Sequence, residues 1–284
     1  MISSSIKKTI AIIPARGGSK SIPKKNIKDC PLCQSELLRL GHGTERIEEV
    51  LLEKFPTAKI ARIDRDTTQK KDSMNNFLNR MHSGDIDILV GTQMIAKGHH
   101  FPNITLAAIV DADRGLFSTD FRATERLAQL FMQVSGRTGR GKKGGTVVVQ
   151  TYNPNHPLFH NLIKHGYNYL AKSLLKERKL SSLPPHSRMA LLRAEAHNIE
   201  HVKHFIKNAS MGLKQLSGDT LLLFGPIPAL IEKYGGRFRY QLIIQANNRK
   251  LLHAYLDEWL QKIEKMKNSK KVRWSLDIDP QDMN

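Results

Sequence analysis

Four short apolar runs, "AKIARID", "DIDILVGT", "LAAIVDAD" and "GTVVVQTY", are separated along residues 58–152 by segments with helical periodicity. This alternation constrains the fold more than any other feature of the chain. Strands that alternate with helices at this spacing build a mostly parallel sheet with helices on both faces. The helical segments are an amphipathic stretch from Glu45 with Ile47, Val50, Leu51, Leu52 and Phe55, a second around Lys70 to Met81, and "ATERLAQLFMQVSG". A fifth apolar run, "TIAIIPARGGSK" at residues 9–20, reads as a buried strand entering a glycine-rich basic turn. In such sheets ligands gather at the loops after the strands.

The second half has a different rhythm. "HPLFHNLIKHGYNYLAKSLLKERKL" predicts one long amphipathic helix, and "SSLPPHS" breaks it and marks a domain boundary near Leu183. Beyond it the pattern predicts strand 187–196, helix 199–216, strand 220–224, strand 239–246, helix 249–266 and strand 271–278. The order βαββαβ is that of a ferredoxin-like α+β unit. The helix "RKLLHAYLDEWLQKIEKM" places Leu252, Tyr255, Leu256, Trp259, Leu260 and Ile263 on one stripe.

The 45 Lys+Arg against 26 Asp+Glu leave a formal charge of +19, which favours a polyanionic partner such as nucleic acid. The charge is uneven: Lys7, Lys8, Arg16, Lys20, Lys24, Lys25 and Lys28 fall in the first 28 residues without an acidic residue among them. Two cysteines, Cys30 and Cys33, exclude a disulfide framework and predict a reducing, cytoplasmic setting. No apolar run approaches the roughly 20 residues that span a bilayer, so no membrane partner is expected. The apolar stretch ending at Pro14 leads into a basic segment rather than a cleavage site for secretion.

"QVSGRTGRGKKGG" puts Arg137 and Arg140 in a glycine-rich loop behind a helical segment, a setting suited to phosphate oxygens. The partner string GxxxxGK[ST] does not occur between Met1 and Asn284. "DILVGTQMIAKGHHFPNITLAAIVDAD" and "FRATERLAQLFMQVSGRTGRG" have the order and spacing of the fifth and sixth motifs of a superfamily-two helicase. With "GTERIEEVL", "RIDRDTT", "LPP", "GPIPAL", "GGRFRYQLIIQ" and "VRWSLDIDP" they resemble the PriA family of bacterial replication-restart helicases, also called primosomal protein N′. The resemblance runs from about Cys30 to Pro280.

The resemblance implies a second RecA-like helicase lobe over residues 42–165, a helical linker over 166–182 and a C-terminal DNA-binding domain over 183–284. It implies ATP and magnesium as cofactors of the intact family, with unwinding of forked DNA in the 3′ to 5′ direction. Arg137 and Arg140 would then be arginine fingers for a γ-phosphate bound mainly by another lobe. Gln133 would organise the same cleft, and Gly98, Gly136 and Gly139 would allow close approach of the nucleotide. Thr92, Gln93 and Lys97 would meet the DNA backbone. His99 and His100 are open between a ligand role and local hydrogen bonds, and His100 stands where many related helicases have aspartate. Other primosome proteins and single-stranded-DNA-binding protein are partners that the resemblance implies.

"CPLC" is half of a tetrahedral zinc site and matches the last CxxC of the family's zinc insertion, of which residues 29–41 are the remnant. Its partner cysteines are absent, so zinc is not expected to be retained, with an adventitious ligand such as His42 the alternative. Residues 1–28 resemble instead the opening of the sialic-acid (N-acylneuraminate) cytidylyltransferases, so the chain reads as a chimera. Residues 8–14 are expected to fill a strand vacancy in the helicase sheet, parallel either to "KIARI" or to the strand containing Ile86 to Val90. In the C-terminal domain, "EKYGGRFRYQ" gathers Lys233, Arg237, Arg239 and Tyr240 around a glycine turn, as either a DNA contact or a hairpin with solvated charges. Two rival functions stand beside the partial helicase. One is a non-enzymatic DNA- or partner-binding fragment, and the other a cytidylyltransferase fragment acting on sialic acid.

Overall fold

The computed structural model describes residues 9–14, 43–63, 73–92, 104–136, 138, 145–266 and 271–283. The chain divides into two units, Met1–Ala171 and Lys172–Asn284.

The first unit is built on five parallel strands: β1 (Thr9–Pro14), β2 (Ile60–Ile63), β3 (Ile88–Gly91), β4 (Ile104–Val110) and β5 (Thr146–Val149). Their order in the sheet is β2-β3-β1-β4-β5. The chain's first strand is thus its central one. Ile10 and Ile12 stand in register with Ile88 and Val90 on one side and with Leu106 and Ala108 on the other. Of the two expected partners, "KIARI" is therefore not the neighbour; it pairs with the far side of β3.

Around the sheet lie α1 (Thr44–Lys54), α2 (Ser73–His82), the single turn α3 (Asp113–Leu116), α4 (Ala123–Ser135) and α5 (Pro157–Leu180). Strand β3 is buried along its whole length, as a strand covered on both faces must be. Helix α4 buries Leu127, Ala128, Leu130, Phe131 and Val134. Helix α1 packs less deeply than its periodicity suggests, and Leu52 is half exposed. At 100° per residue Leu52 points about 140° away from Ile47 and cannot share its face. Ion pairs fasten α1 instead: Arg62 of β2 reaches Glu48 at 3.0 Å and Glu45 at 3.2 Å. The expected single long helix is interrupted at Gly166, whose φ of 77° and ψ of 176° are available to glycine at little cost.

The second unit follows the expected βαββαβ order with β6 (Arg188–Ala196), α6 (Ile199–Ser217), β7 (Leu222–Tyr234), β8 (Arg237–Ala246), α7 (Arg249–Glu264) and β9 (Arg273–Ile278). The sheet is antiparallel with order β7-β8-β6-β9. Both helices start on an asparagine cap: the side chain of Asn198 accepts from the Glu200 amide, and that of Asn248 from the Leu251 amide. Their apolar stripes meet one face of the sheet, where Trp259, Phe205, Ile206, Leu213, Leu252, Leu256 and Ile263 pack on Leu192, Leu242 and Ile244. Each large side chain buried this way stabilises by about 1.5–3 kcal/mol. The one polar atom of Trp259 is satisfied, its Nε1 donating to the Ala209 carbonyl at 2.8 Å.

Strand β7 runs ten residues beyond the expected end at Phe224. "GPIP" reads as a breaker, but β7 is an edge strand, where a proline without an N–H can face away from the ladder. The irregular stretches fall between Phe224 and Ile227 and between Pro228 and Lys233. The hairpin to β8 turns on Gly235 (φ 57°) and Gly236 (φ 77°), the double positive φ of a two-residue turn matched to strand twist.

Candidate functional site

Because all strands of the first sheet run in one direction, the segments after β3, β4 and β5 emerge on one edge. Thr92 follows β3 there, 6% exposed, its amide donating to the Ile63 carbonyl at 3.3 Å. After β4 the chain turns sharply through Asp111, which has a φ of 59°. Its carboxylate pairs with Arg114 Nε at 3.0 Å, and its amide donates to the Gln150 side chain at 3.3 Å. Asp113 then ties this turn to the segment after β5. It accepts from Thr151 Oγ1 at 3.0 Å, the Tyr152 amide at 2.9 Å and Asn153 Nδ2 at 2.7 Å. Burial acts to raise the Asp113 carboxyl, but these hydrogen bonds outweigh it and hold the group below its ordinary value. The edge is thereby braced by side chains joining two adjacent strand ends.

Helix α4 leaves this edge from an anchored first turn. Asp120, with its side chain 1% exposed, accepts from the Arg122 amide at 2.9 Å and from Arg126 Nη2 at 2.8 Å. At the other end Gln133 is exposed in the last turn. Gly136 has a right-handed helical backbone, so the sign of φ does not require glycine; an added Cβ would stand 3.2 Å from the Met132 carbonyl oxygen. Thr138 folds back, its hydroxyl donating to the Val134 carbonyl at 2.7 Å. Arg137, Gly139 and Arg140 lie outside the described residues, as do Gln93, Lys97, Gly98, His99 and His100. Cys30, Cys33 and His42 lie outside them too, and the described residues contain no group of three His, Cys, Asp or Glu able to hold a metal ion. None of the described helices is long and apolar enough to cross a membrane.

In the second unit the four residues grouped by "EKYGGRFRYQ" separate onto two faces. Arg237 and Arg239 alternate with Phe238 and Tyr240 along β8. Tyr240 belongs to the helix-covered core, 8% exposed, its hydroxyl donating to Glu232 at 3.0 Å. Burial first, and then the Glu232 carboxylate, hold its phenol above the ordinary value. Stacking of a nucleobase on Tyr240 is therefore corrected to a structural role, because strand alternation turns its ring inward. Lys233 stays with this side, its Nζ 4.6 Å from the Phe238 ring centroid. Arg237 and Arg239 face the other way, onto the helix-free side of the sheet.

On that side the register sets residues of three strands in rows. Glu195 of β6 stands opposite Arg239 of β8 and opposite Arg273 of β9, and Arg193 stands opposite Gln241 and Ser275. Together they line a groove of about 250 Å³, with Ala229 of β7 at its border. Arg193 pairs with Asp277 at 3.2 Å and donates to the Asp282 carbonyl. Arg193 and Glu195 lie in no motif string, and Arg273 lies in "VRWSLDIDP" without a role assigned to it; the signal that could have grouped the three was period-two alternation in the strands 187–196 and 271–278.

Two family models match the chain. The helicase conserved C-terminal domain covers residues 34–142, and the primosomal protein N C-terminal domain covers residues 179–281. The chain is 44% identical over 270 residues to the replication restart protein PriA of Haemophilus influenzae, a match covering 94% of this chain and 36% of that protein. It is 38% identical over 259 residues to the replication restart protein PriA of Bacillus subtilis, covering 88% and 31% respectively. The corresponding protein of Rickettsia conorii is 36% identical over 262 residues, covering 90% and 39%. The Haemophilus match takes in more of the chain than residues 29–284 make up, so it reaches into the first 28 residues, which corrects the expectation that all of them fall outside the family. The chain spans about a third of the length of the relatives it matches.

Proposed function

We propose, on the premise that this chain belongs to the PriA replication-restart family and matches its C-terminal part, that it supplies the arginine-bearing lobe and a DNA-binding domain of a replication-restart DNA helicase. The observation that supports this most directly is the union in one chain of two units: a parallel sheet whose loop edge is braced at Asp111 and Asp113, and an antiparallel unit with arginines on its open face.

In this reading ATP and magnesium are held mainly by a lobe bearing a lysine loop, a string that residues 1–284 do not contain. Helix α4 transmits position: its first turn is fixed by Asp120, and Gln133 and the QxxGRxGR loop follow from its other end. Arg137 and Arg140 offset the charge that spreads over the γ-phosphoryl oxygens as its bond to the leaving group breaks. Gly98, Gly136 and Gly139 let backbone approach the nucleotide, while Thr92, Gln93 and Lys97 follow the DNA backbone. Arg237 and Arg239 hold DNA on the open face of the second unit, Lys233 adds charge beside the hairpin turn, and Tyr240 supports β8 from beneath. By itself the chain binds DNA without turning over ATP, and it works in the cytoplasm beside other primosome proteins and single-stranded-DNA-binding protein.

The test is binding of single-stranded and forked DNA over a salt series. Phosphate contacts release counterions, so log affinity falls linearly with log salt concentration. Charge reversal at Arg237 and Arg239 weakens binding more than reversal at Lys7 and Lys8. Affinity that ignores salt, or equal losses in the two double variants, would overturn the reading.

A further inference from the structure

The helix-free face of the second sheet carries a charge arrangement that its own ion pairs leave incomplete. Arg239 and Arg273 sit on strands two spacings apart, about 9.5 Å between backbones, with β6 between them. They flank one carboxylate, Glu195, to which each is directly opposed in register. Only Arg273 holds it, at 3.5 Å, and the Arg273 side chain is 79% exposed, which makes this a weak pair. Arg239 has no carboxylate partner among the described residues, although it lines the groove and is half-buried. One guanidinium is thus in excess on the groove floor. In the next row Gln241 and Ser275 flank Arg193, with their backbones in the ladder and their side chains without a hydrogen-bond partner among the described residues.

A half-buried guanidinium without a carboxylate favours an anion, and a second, exposed guanidinium two strands away that is held only by a weak pair to Glu195 favours an anion with several oxygens. A phosphodiester fits this description. Its oxygens can take donors from both arginines, and the neighbouring amide and hydroxyl supply the adaptable polar groups that a strand of sugars and phosphates meets next. Glu195 has the wrong sign for such a ligand and the right place to be exchanged for it.

We infer that the groove bordered by Arg193, Glu195, Arg239, Gln241, Arg273 and Ser275 is a backbone-binding site for single-stranded DNA, in which Arg239 and Arg273 clamp one phosphate and Glu195 is the internal anion that the phosphate displaces. The inference rests on the proposed DNA-binding function and adds to it the residues of β6 and β9. It also gives Glu195 an opposing role: the carboxylate pairs with Arg273 in the free protein and lowers affinity for DNA.

The experiment uses the full chain and a fluorescently labelled oligothymidylate, with anisotropy read over a salt series. Glu195→Gln is expected to tighten binding by about three-fold or more, because the competing negative charge is gone while the side-chain shape remains. Arg239→Gln and Arg273→Gln are expected each to weaken binding and to reduce the slope against log salt by about one. Thermal melting of the second unit accompanies each variant, and Arg273→Lys keeps the charge should Arg273→Gln unfold. Two outcomes count against different statements. If the wild-type chain does not bind DNA, the underlying function fails. If it binds and the Arg237/Arg239 reversal weakens it, while Glu195→Gln and Arg273→Gln bind as wild type, the groove proposal alone is overturned.

Discussion

Ile12 of β1 stands in parallel register with Val90 of β3, so a strand from the first residues of the chain occupies the middle of a sheet otherwise made by residues 60–149. A central strand uses its backbone groups on both sides, and its loss would leave β3 and β4 each unpaired on one side. Such a strand is read through its backbone pairing and its apolar character rather than through a particular side-chain sequence.

Ile12→Pro removes a backbone donor from the centre of this sheet and places a ring where a strand must pass. We expect the first unit to lose on the order of 2–3 kcal/mol, with the melting of the second unit unchanged. A chain starting at Asp29 should show the same selective loss. Undiminished stability of the first unit in both would rule out a structural role for β1.

Asp120→Ala strips the Arg122 amide and Arg126 of a shared, buried acceptor at the start of α4. Arg126 is partly exposed and can turn to water, so the expected cost is about 1–2 kcal/mol by denaturant unfolding of the first unit, mainly from the amide left without its acceptor. A change below about 0.5 kcal/mol would mean that the helix start is held by other groups.

Asp113 gives the acid response of the first unit a defined sign. Its carboxyl titrates below the ordinary value of 3.8 in the folded chain, so the stabilisation is present at neutral pH and is lost as pH falls through the lowered value. The stability difference between wild type and Asp113→Asn should be largest near neutral pH and shrink as pH falls below about 5 and through the lowered value. A difference that is constant over this window would show that the carboxylate charge is not what the Thr151, Tyr152 and Asn153 bonds stabilise.

Cys30 and Cys33 provide two of the four ligands that a structural zinc needs. Elemental analysis of the purified chain is expected to find far less than one zinc per chain after mild chelation. Stoichiometric zinc that survives the chelator would require two further ligands, with His42 the first to substitute.

What the sequence determined by itself was the local part of the architecture. Periods of two and of about 3.6 residues are written in neighbouring side chains, so the βαββαβ order of the second unit and the alternating strands and helices of the first were legible without coordinates. The turn at Gly235 and Gly236 was legible too, because two glycines signal positive φ. The same alternation puts Tyr240 and Arg239, as neighbours along one strand, on opposite faces.

The tertiary structure alone decided which strands are neighbours and therefore which distant side chains meet. Nothing near Ile12 names Val90 or Ala108, since backbone pairing has no side-chain code of its own. Strand β7 continued through "GPIP" only because it lies at an edge, a fact that belongs to the sheet and not to the segment. The row Arg239, Glu195, Arg273 joins residues of three separate stretches of chain. It exists because antiparallel register places them side by side, and register is settled only when the apolar faces of all four strands are buried together against α6 and α7.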